Sequence, residues 1–193
     1  MQTVLGGLLY IICEVYVDDI LVYGNTEEEF TENLKKVFQR FREYNLTIHP
    51  EKCFLGLLKV EYLGLLMDSE GFTFTENKKE TLLAFPKPVT HKNMKSFLGM
   101  CNYFSTHVKN YVEMSAPLNQ LITPYKPGNH ITWTDEHSDT FERLKRAVHG
   151  CQKLYFLDPN EGEIHVKTDA CVYGMGAYIY QILNAIEYPI RIV

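Results

Sequence analysis

Tyr16-Val17-Asp18-Asp19-Ile20-Leu21-Val22-Tyr23 places two adjacent carboxylates inside an otherwise apolar stretch, Leu8 to Val22. Charge flanked by strand residues persists only where it is paired, hydrated or bound to metal. Val15-Tyr16-Val17 and Ile20-Leu21-Val22-Tyr23 are β-branched and aromatic, and each reads as a short strand. That places Asp18-Asp19 at the tip of a tight hairpin. Outward carboxylate oxygens there suit a hard divalent cation, Mg²⁺ above all. The competing reading is an ordinary turn that uses short polar residues.

Working outward, Thr26 followed by Glu29 reads as a helix start with a capping box. Phe30, Leu34, Val37, Phe38, Phe41 and Tyr44 recur at helical spacing, and Asn45 is a left-handed stop. Strands are expected near 46–54, 59–67 and 72–74, with turn chemistry at Asp68-Ser69-Glu70-Gly71. Pro86 and Pro88 punctuate a linker. Residues 90–123 read as helical, with Met94, Phe97, Leu98, Cys101 and Phe104 on one face and a second short helix near 114–122. Thr134 or Asp135 caps a helix that buries Phe141, Leu144 and Val148 and ends at Gly150. The tail turns to strand at 163–168 and 174–181, with a turn at Cys171–Tyr173 and a third strand from about Ile186.

The bulk numbers permit one large domain or two small ones: 193 residues, 46% hydrophobic and 22% charged. The net charge of −5 argues against strong autonomous nucleic-acid binding, because phosphate neutralisation needs cations. Five cysteines without a CxxC pair argue against a zinc site and fit an intracellular, reducing compartment. Val4 to Cys13 is too short to span a bilayer and lacks signal-peptide flanks, so no membrane partner is expected.

The hairpin motif and the sequence C-terminal to it resemble the reverse transcriptases of gypsy-type LTR retroelement polyproteins. Tyr16–Tyr23 resembles the central polymerase motif. Lys52-Cys53-Phe54 after Leu46-Thr47-Ile48 resembles the family's strand followed by a Lys-Cys-x-Phe element, and Tyr62-Leu63-Gly64 with Asp68–Gly71 resembles the primer-grip hairpin. Phe97–Phe104 with Pro117-Leu118 resembles the thumb, and Trp133-Thr134, Phe141 and Leu144-Lys145 resemble the segment after it. Thr168-Asp169-Ala170-Cys171 with Gly174–Ala177 and Gln181 resembles the opening of a ribonuclease H domain. Six such matches stand in register over residues 1–181.

The resemblance implies an α+β fold: a partial palm (1–85) with an antiparallel sheet and one long helix, a helical thumb (86–130), and a connection with truncated ribonuclease H-like strands (131–193). It implies RNA-directed DNA synthesis with Mg²⁺ or Mn²⁺ on an RNA/DNA template–primer. Asp18 would be the direct metal ligand and Asp19 its support. Lys52 would act at the pyrophosphate leaving group, and Asp169 would be the first ribonuclease H acid. Tyr16, Leu63, Gly64, Lys92, Lys95 and Lys109 would meet nucleic acid. The plain alternatives are a solvated turn lysine for Lys52, a strand-end turn residue for Asp169 and a solvated helix face for the thumb lysines.

The pattern departs from the family in places. The palm's partner Asp has no counterpart among the fifteen residues before Tyr16, where the first five read as the end of a helix. The later ribonuclease H acids have none after Asp169. Ser105-Thr106-His107 stand where thumb arginines are expected, and His107, His130, His137 and His149 read as surface residues. The chain alone is therefore expected to be inactive. A palm edge left open would recruit a protein partner or a second copy. The second reading is a retroelement-derived structural or interaction subunit whose motifs are no longer used.

Overall fold

Along the first hairpin, Cys13, Val15, Ile20 and Val22 alternate with Glu14, Tyr16, Asp19 and Leu21. The first set joins Leu5, Ile12, Val37 and Phe41 in a buried cluster, which fixes which face of the hairpin is wet. In the computed structural model, which describes residues 1–171 and 174–193, β1 (Cys13–Tyr16) and β2 (Asp19–Val22) form that antiparallel hairpin. The chain divides into two units, Met1–Tyr62 and Leu63–Val193.

In the first unit, residues 2–8 form turns, not the expected helix end. The helix α1 (Glu27–Glu43) follows the hairpin. Thr26 caps it, accepting from the Glu29 amide at 3.1 Å. The Glu29 carboxylate reaches one residue further back than a standard capping box, to the Asn25 amide at 2.8 Å. At the other end Asn45 is left-handed (φ 53°). Leu46 and Asn45 amides return to the Phe41 and Arg42 carbonyls, a Schellman stop. Val37 and Phe41 of the stripe are buried, whereas Tyr44 is exposed and the polar Asn33 takes an inner place, donating to the Tyr23 carbonyl at 2.9 Å.

The strand expected over 46–54 is not there. Pro50–Lys52 forms a 3₁₀ turn in an irregular segment whose Leu46, Ile48, Phe54, Leu55, Leu57 and Leu58 are exposed. β-propensity without a surface to bury against does not make a strand. The strand expected over 59–67 is two: β3 (Lys59–Tyr62) and β4 (Leu65–Asp68), separated by Leu63 and Gly64, both with positive φ (53° and 74°).

In the second unit, β4, β5 (Gly71–Phe74) and β6 (Leu154–Tyr155) run antiparallel. A helix that the apolar spacing does not announce, α2 (Glu76–Leu83), follows β5. Then come α3 (His91–Tyr103), α4 (Tyr111–Gln120) and α5 (Asp135–His149). Thr134 caps α5 and Gly150 ends it, as the sequence indicates. One apolar cluster joins Phe74 and Leu82 to Met94, Phe97, Cys101, Phe104, Leu118, Phe141, Leu144 and Val148. Phe97 and Phe141 meet at 4.6 Å between ring centroids.

The last sheet is β7 (Glu163–Cys171), β8 (Gly174–Leu183) and β9 (Ile186–Ile192). The register slips between Ile179 and Tyr180, where Pro189 stands opposite without an amide to donate. The turn expected at Cys171–Tyr173 falls on residues 172–173, outside the described residues. Among the described residues no helix is long and apolar enough to cross a membrane. Cys13, Cys53, Cys101 and Cys151 are free thiols, and burial pushes Cys101 up to about 12.

Candidate active-site hairpin and nucleic-acid contacts

The two-residue turn between β1 and β2 is Val17-Asp18, because Tyr16 pairs with Asp19. Asp18 therefore sits at the tip, while Asp19 opens β2 on the wet face beside Tyr16. The expected tip was Asp18-Asp19; the observed register differs by two residues, which leaves every side chain on the same face. Val17 adopts φ 54°, a left-handed conformation costly for a β-branched residue. Asp18 and Asp19 are both exposed, and Tyr16 and Val17 are 59% and 72% accessible. Neither aspartate side chain makes a hydrogen bond or ion pair among the described residues.

Of two neighbours of this site, Glu14 was not singled out from sequence, and Tyr62 was quoted only as the residue before Leu63-Gly64. Glu14 shares the wet face of the hairpin with Tyr16 and Asp19. Tyr62, on β3, has its pKa raised by burial first, then by the Glu14 and Asp19 carboxylates. The alternation around Asp19 is the signal that could have found Glu14. Among the described residues no three His, Cys, Asp or Glu side chains gather as a metal cluster. The two carboxylates that could hold a cation are Asp18 and Asp19. Lys52 lies in the same unit, exposed at the end of the 3₁₀ turn.

In the second unit the Leu63-Gly64 turn is held from two sides. The Tyr103 hydroxyl donates to the Leu63 carbonyl at 2.5 Å, and Lys78 donates to that hydroxyl at 3.2 Å. Lys92 and Lys95 are exposed on α3, and the Lys95 ammonium lies 4.5 Å from the Tyr125 ring centroid. Lys109 does not share their helix. Its ammonium lies 3.8 Å from the Tyr178 ring centroid, at a groove of about 440 Å³ that Asp169, Lys167 and Tyr111 also line. Lys95 and Lys109 thus use their charge on aromatic faces and are not simply solvated. Asp169 lies within β7 opposite Gly176, exposed, its carboxylate accepting from the Ala170 amide at 2.9 Å. It is a strand residue and not the turn residue of the plain alternative.

His107, expected at the surface, is buried at 3% exposure. Its ring meets Phe74 at 4.4 Å and Phe72 edge-on at 5.4 Å. Its Nδ1 lies 3.0 Å from the Thr106 hydroxyl. Burial first, then Lys79, lowers its pKa to about 4. Where the resemblance led to an expectation of thumb arginines, His107 is therefore a buried residue that is neutral at neutral pH. His137 is likewise no free surface group: it completes the Thr134 capping box of α5.

Residues 1–67 match the model of the family described as reverse transcriptase (RNA-dependent DNA polymerase). Residues 133–193 match the RNase H-like domain found in reverse transcriptase. The chain belongs to the reverse transcriptase family. It is 31% identical to the retrovirus-related Pol polyprotein from transposon 412 of Drosophila melanogaster over 91% of this chain and 14% of that one. It is 34% identical to the Pro-Pol polyprotein of feline foamy virus over 73% of this chain and 12% of that one. The chain therefore spans about one seventh or less of these relatives.

Solved reverse transcriptases share its fold. A foamy viral protease-reverse transcriptase in complex with double-stranded DNA matches with TM-score 0.80 and 29% identity, over all of this chain and 33% of the other. The foamy viral enzyme in complex with an RNA/DNA hybrid matches with TM-score 0.78, over all of this chain and 25% of the other.

Proposed function

We propose that this reverse transcriptase segment supplies the aspartate hairpin, the primer-facing turn and the thumb of a DNA polymerase that copies an RNA or DNA template. In this reading residues 1–85 serve as palm, 86–130 as thumb and 131–193 as connection and ribonuclease H-type strands. The observation that carries it is the hairpin: Asp18 at its tip and Asp19 opening β2 are adjacent and exposed, and neither side chain makes a hydrogen bond or ion pair among the described residues. Bare carboxylates on a tight turn are oxygen donors suited to Mg²⁺ or Mn²⁺. When bound, such ions lower the pKa of the attacking hydroxyl and neutralise charge on the phosphoryl group.

The chain's own residues have separate tasks in this scheme. Asp18 holds the cation and Asp19 supports it. Tyr16, exposed beside them, and Leu63-Gly64 meet the primer strand. Lys52 meets the leaving phosphates, and Lys92, Lys95 and Lys109 meet the backbone as positioning contacts. Asp169 is the first acid of a nuclease site. Two adjacent carboxylates do not hold two metals, and among the described residues no third acid gathers with them, so the scheme needs a further palm carboxylate to join them. The test is a melting experiment: Mg²⁺ or Mn²⁺ should raise the melting temperature of the wild-type chain and leave Asp18→Asn unmoved. Equal shifts in both proteins would refute a cation at the tip.

A second reading, an interaction subunit, is favoured by one feature. Phe54, Leu55, Leu57 and Leu58 of one irregular segment are 76%, 55%, 55% and 93% exposed, and the β1–β2 hairpin is a sheet of two strands among the described residues. Light scattering decides it: self-association or a stoichiometric protein partner supports this reading, and a monomer counts against it.

A further inference from the structure

Tyr103 ends α3, 45% exposed, with its ring laid against the edge of the core. The ring lies 5.2 Å from Phe74 and edge-on to Phe104 at 5.6 Å. A phenylalanine would fill that place equally well, so packing does not explain the hydroxyl. The hydroxyl donates to the main-chain oxygen of Leu63 at 2.5 Å, forty residues back in the chain. Leu63 is the residue in this turn whose conformation costs most, since φ 53° crowds its Cβ. Such a backbone persists where its surroundings over-determine it.

Lys78 completes the arrangement from α2. Its ammonium donates to the Tyr103 hydroxyl at 3.2 Å and lies 4.5 Å from the centre of that ring. Its stem covers Gly64: a Cβ added there would stand 1.7 Å from the Lys78 ammonium and 2.3 Å from its Cε. The turn is thus fastened through its carbonyl to α3 and lidded by a side chain from α2. Both fasteners meet at one oxygen atom.

We propose that Tyr103, with Lys78, is a positioning residue that makes the Leu63-Gly64 turn move as one body with helix α3. This rests on the reading of that turn as the primer-facing element. Under it, the hydroxyl couples thumb position to the register of the primer end. Tyr103 need not touch nucleic acid to do so.

The test uses the 193-residue chain and the variants Tyr103→Phe and Lys78→Met, which keep the ring and the aliphatic stem. Hydrogen–deuterium exchange is followed in peptides spanning 59–67 and 94–101. Tyr103→Phe should speed exchange around Leu63 and Gly64 by about tenfold, the weight of one hydrogen bond, with the α3 core peptide unchanged. Lys78→Met should act in the same direction and Lys78→Arg should restore protection. Unchanged exchange near Leu63 in both variants overturns the proposal.

A second readout separates it from the functional reading. Fluorescence anisotropy compares a template–primer with a recessed 3′ end against a blunt duplex of equal length. A preference for the recessed end that weakens several-fold in Tyr103→Phe, at unchanged melting temperature, supports both. A preference that is equal in wild type and Tyr103→Phe overturns the coupling to the primer end. Faster exchange in a chain that never prefers the recessed end upholds the fastening and overturns the primer-facing reading.

Discussion

Lys153 places its ammonium 2.8 Å and 3.0 Å from the two carboxylate oxygens of Asp68 and 3.0 Å from Glu70. It thereby ties the turn between β4 and β5 to the segment that enters β6. Asp68 also accepts from the Glu70 and Gly71 amides at 3.0 Å and 3.1 Å. The Lys153 hydrogen bond, above the other causes, holds the Asp68 carboxyl below its ordinary 3.8. A depressed carboxyl lends stability that is complete above its unfolded value and is lost as pH falls through the folded one. Lys153→Met should lower stability at neutral pH and flatten the acid loss below about pH 4. Urea melts at neutral and acid pH, compared between the two proteins, measure both effects.

His107 makes the same kind of prediction in a higher window. Its folded pKa of about 4 lies below the ordinary 6.5 because burial, and then Lys79, disfavours the imidazolium. Lys79 itself is ion-paired to Glu76 at 3.0 Å on α2. Between those two values the unfolded chain binds the proton and the folded chain does not, so stability should fall as pH drops from about 6.5 to about 4. The full loss is on the order of 3 kcal/mol. His107→Gln should remove the slope in that window. A slope that survives the substitution would locate the titrating group elsewhere.

Gly71 is required for a close approach. A Cβ there would meet the Leu154 carbonyl oxygen at 2.0 Å and the Tyr155 Cα at 2.7 Å, both backbone atoms of the paired strand. Gly71→Ala should therefore part β5 from β6 and cost about 3 kcal/mol by denaturant midpoint. The exposed Gly99 has nothing within 4 Å of its would-be Cβ and sits within α3. Gly99→Ala is the control and should be neutral or slightly stabilising.

Val17 stores strain beside the carboxylates. Val17→Gly should stabilise the hairpin by about 1 kcal/mol, since glycine accepts φ 54° without penalty. It should also loosen the tip that presents Asp18. A higher melting temperature together with a smaller metal-induced shift is the expected pair of results. A metal shift equal to wild type would show that the strain has no part in presenting Asp18.

Where sequence and structure agree, local chemistry had one solution. Thr134 to Gly150 carries a cap, an apolar stripe and a stop, and α5 runs between them. Asn45 stops α1 because a short polar side chain tolerates the left-handed turn. The hairpin register was not legible because alternation is blind to a shift of two residues. Only the pairing of Tyr16 with Asp19 moves Asp19 from tip to strand. Leu46-Thr47-Ile48 has strand propensity but no partner surface, and α2 has Leu82 buried without a repeating stripe to announce it. His107 gave no signal at all: a single histidine between Thr106 and Val108 has no period, and its burial is decided by Phe72 and Phe74 from a distant strand.

Primer extension by the purified 193-residue chain, with Mg²⁺ and with Mn²⁺ on a recessed template–primer, tests the account most directly. With no third carboxylate converging on Asp18 and Asp19 among the described residues, nucleotide incorporation should not rise above that of Asp18→Asn. Incorporation by the wild-type chain that disappears in Asp18→Asn would contradict the account, because the hairpin would then be sufficient by itself.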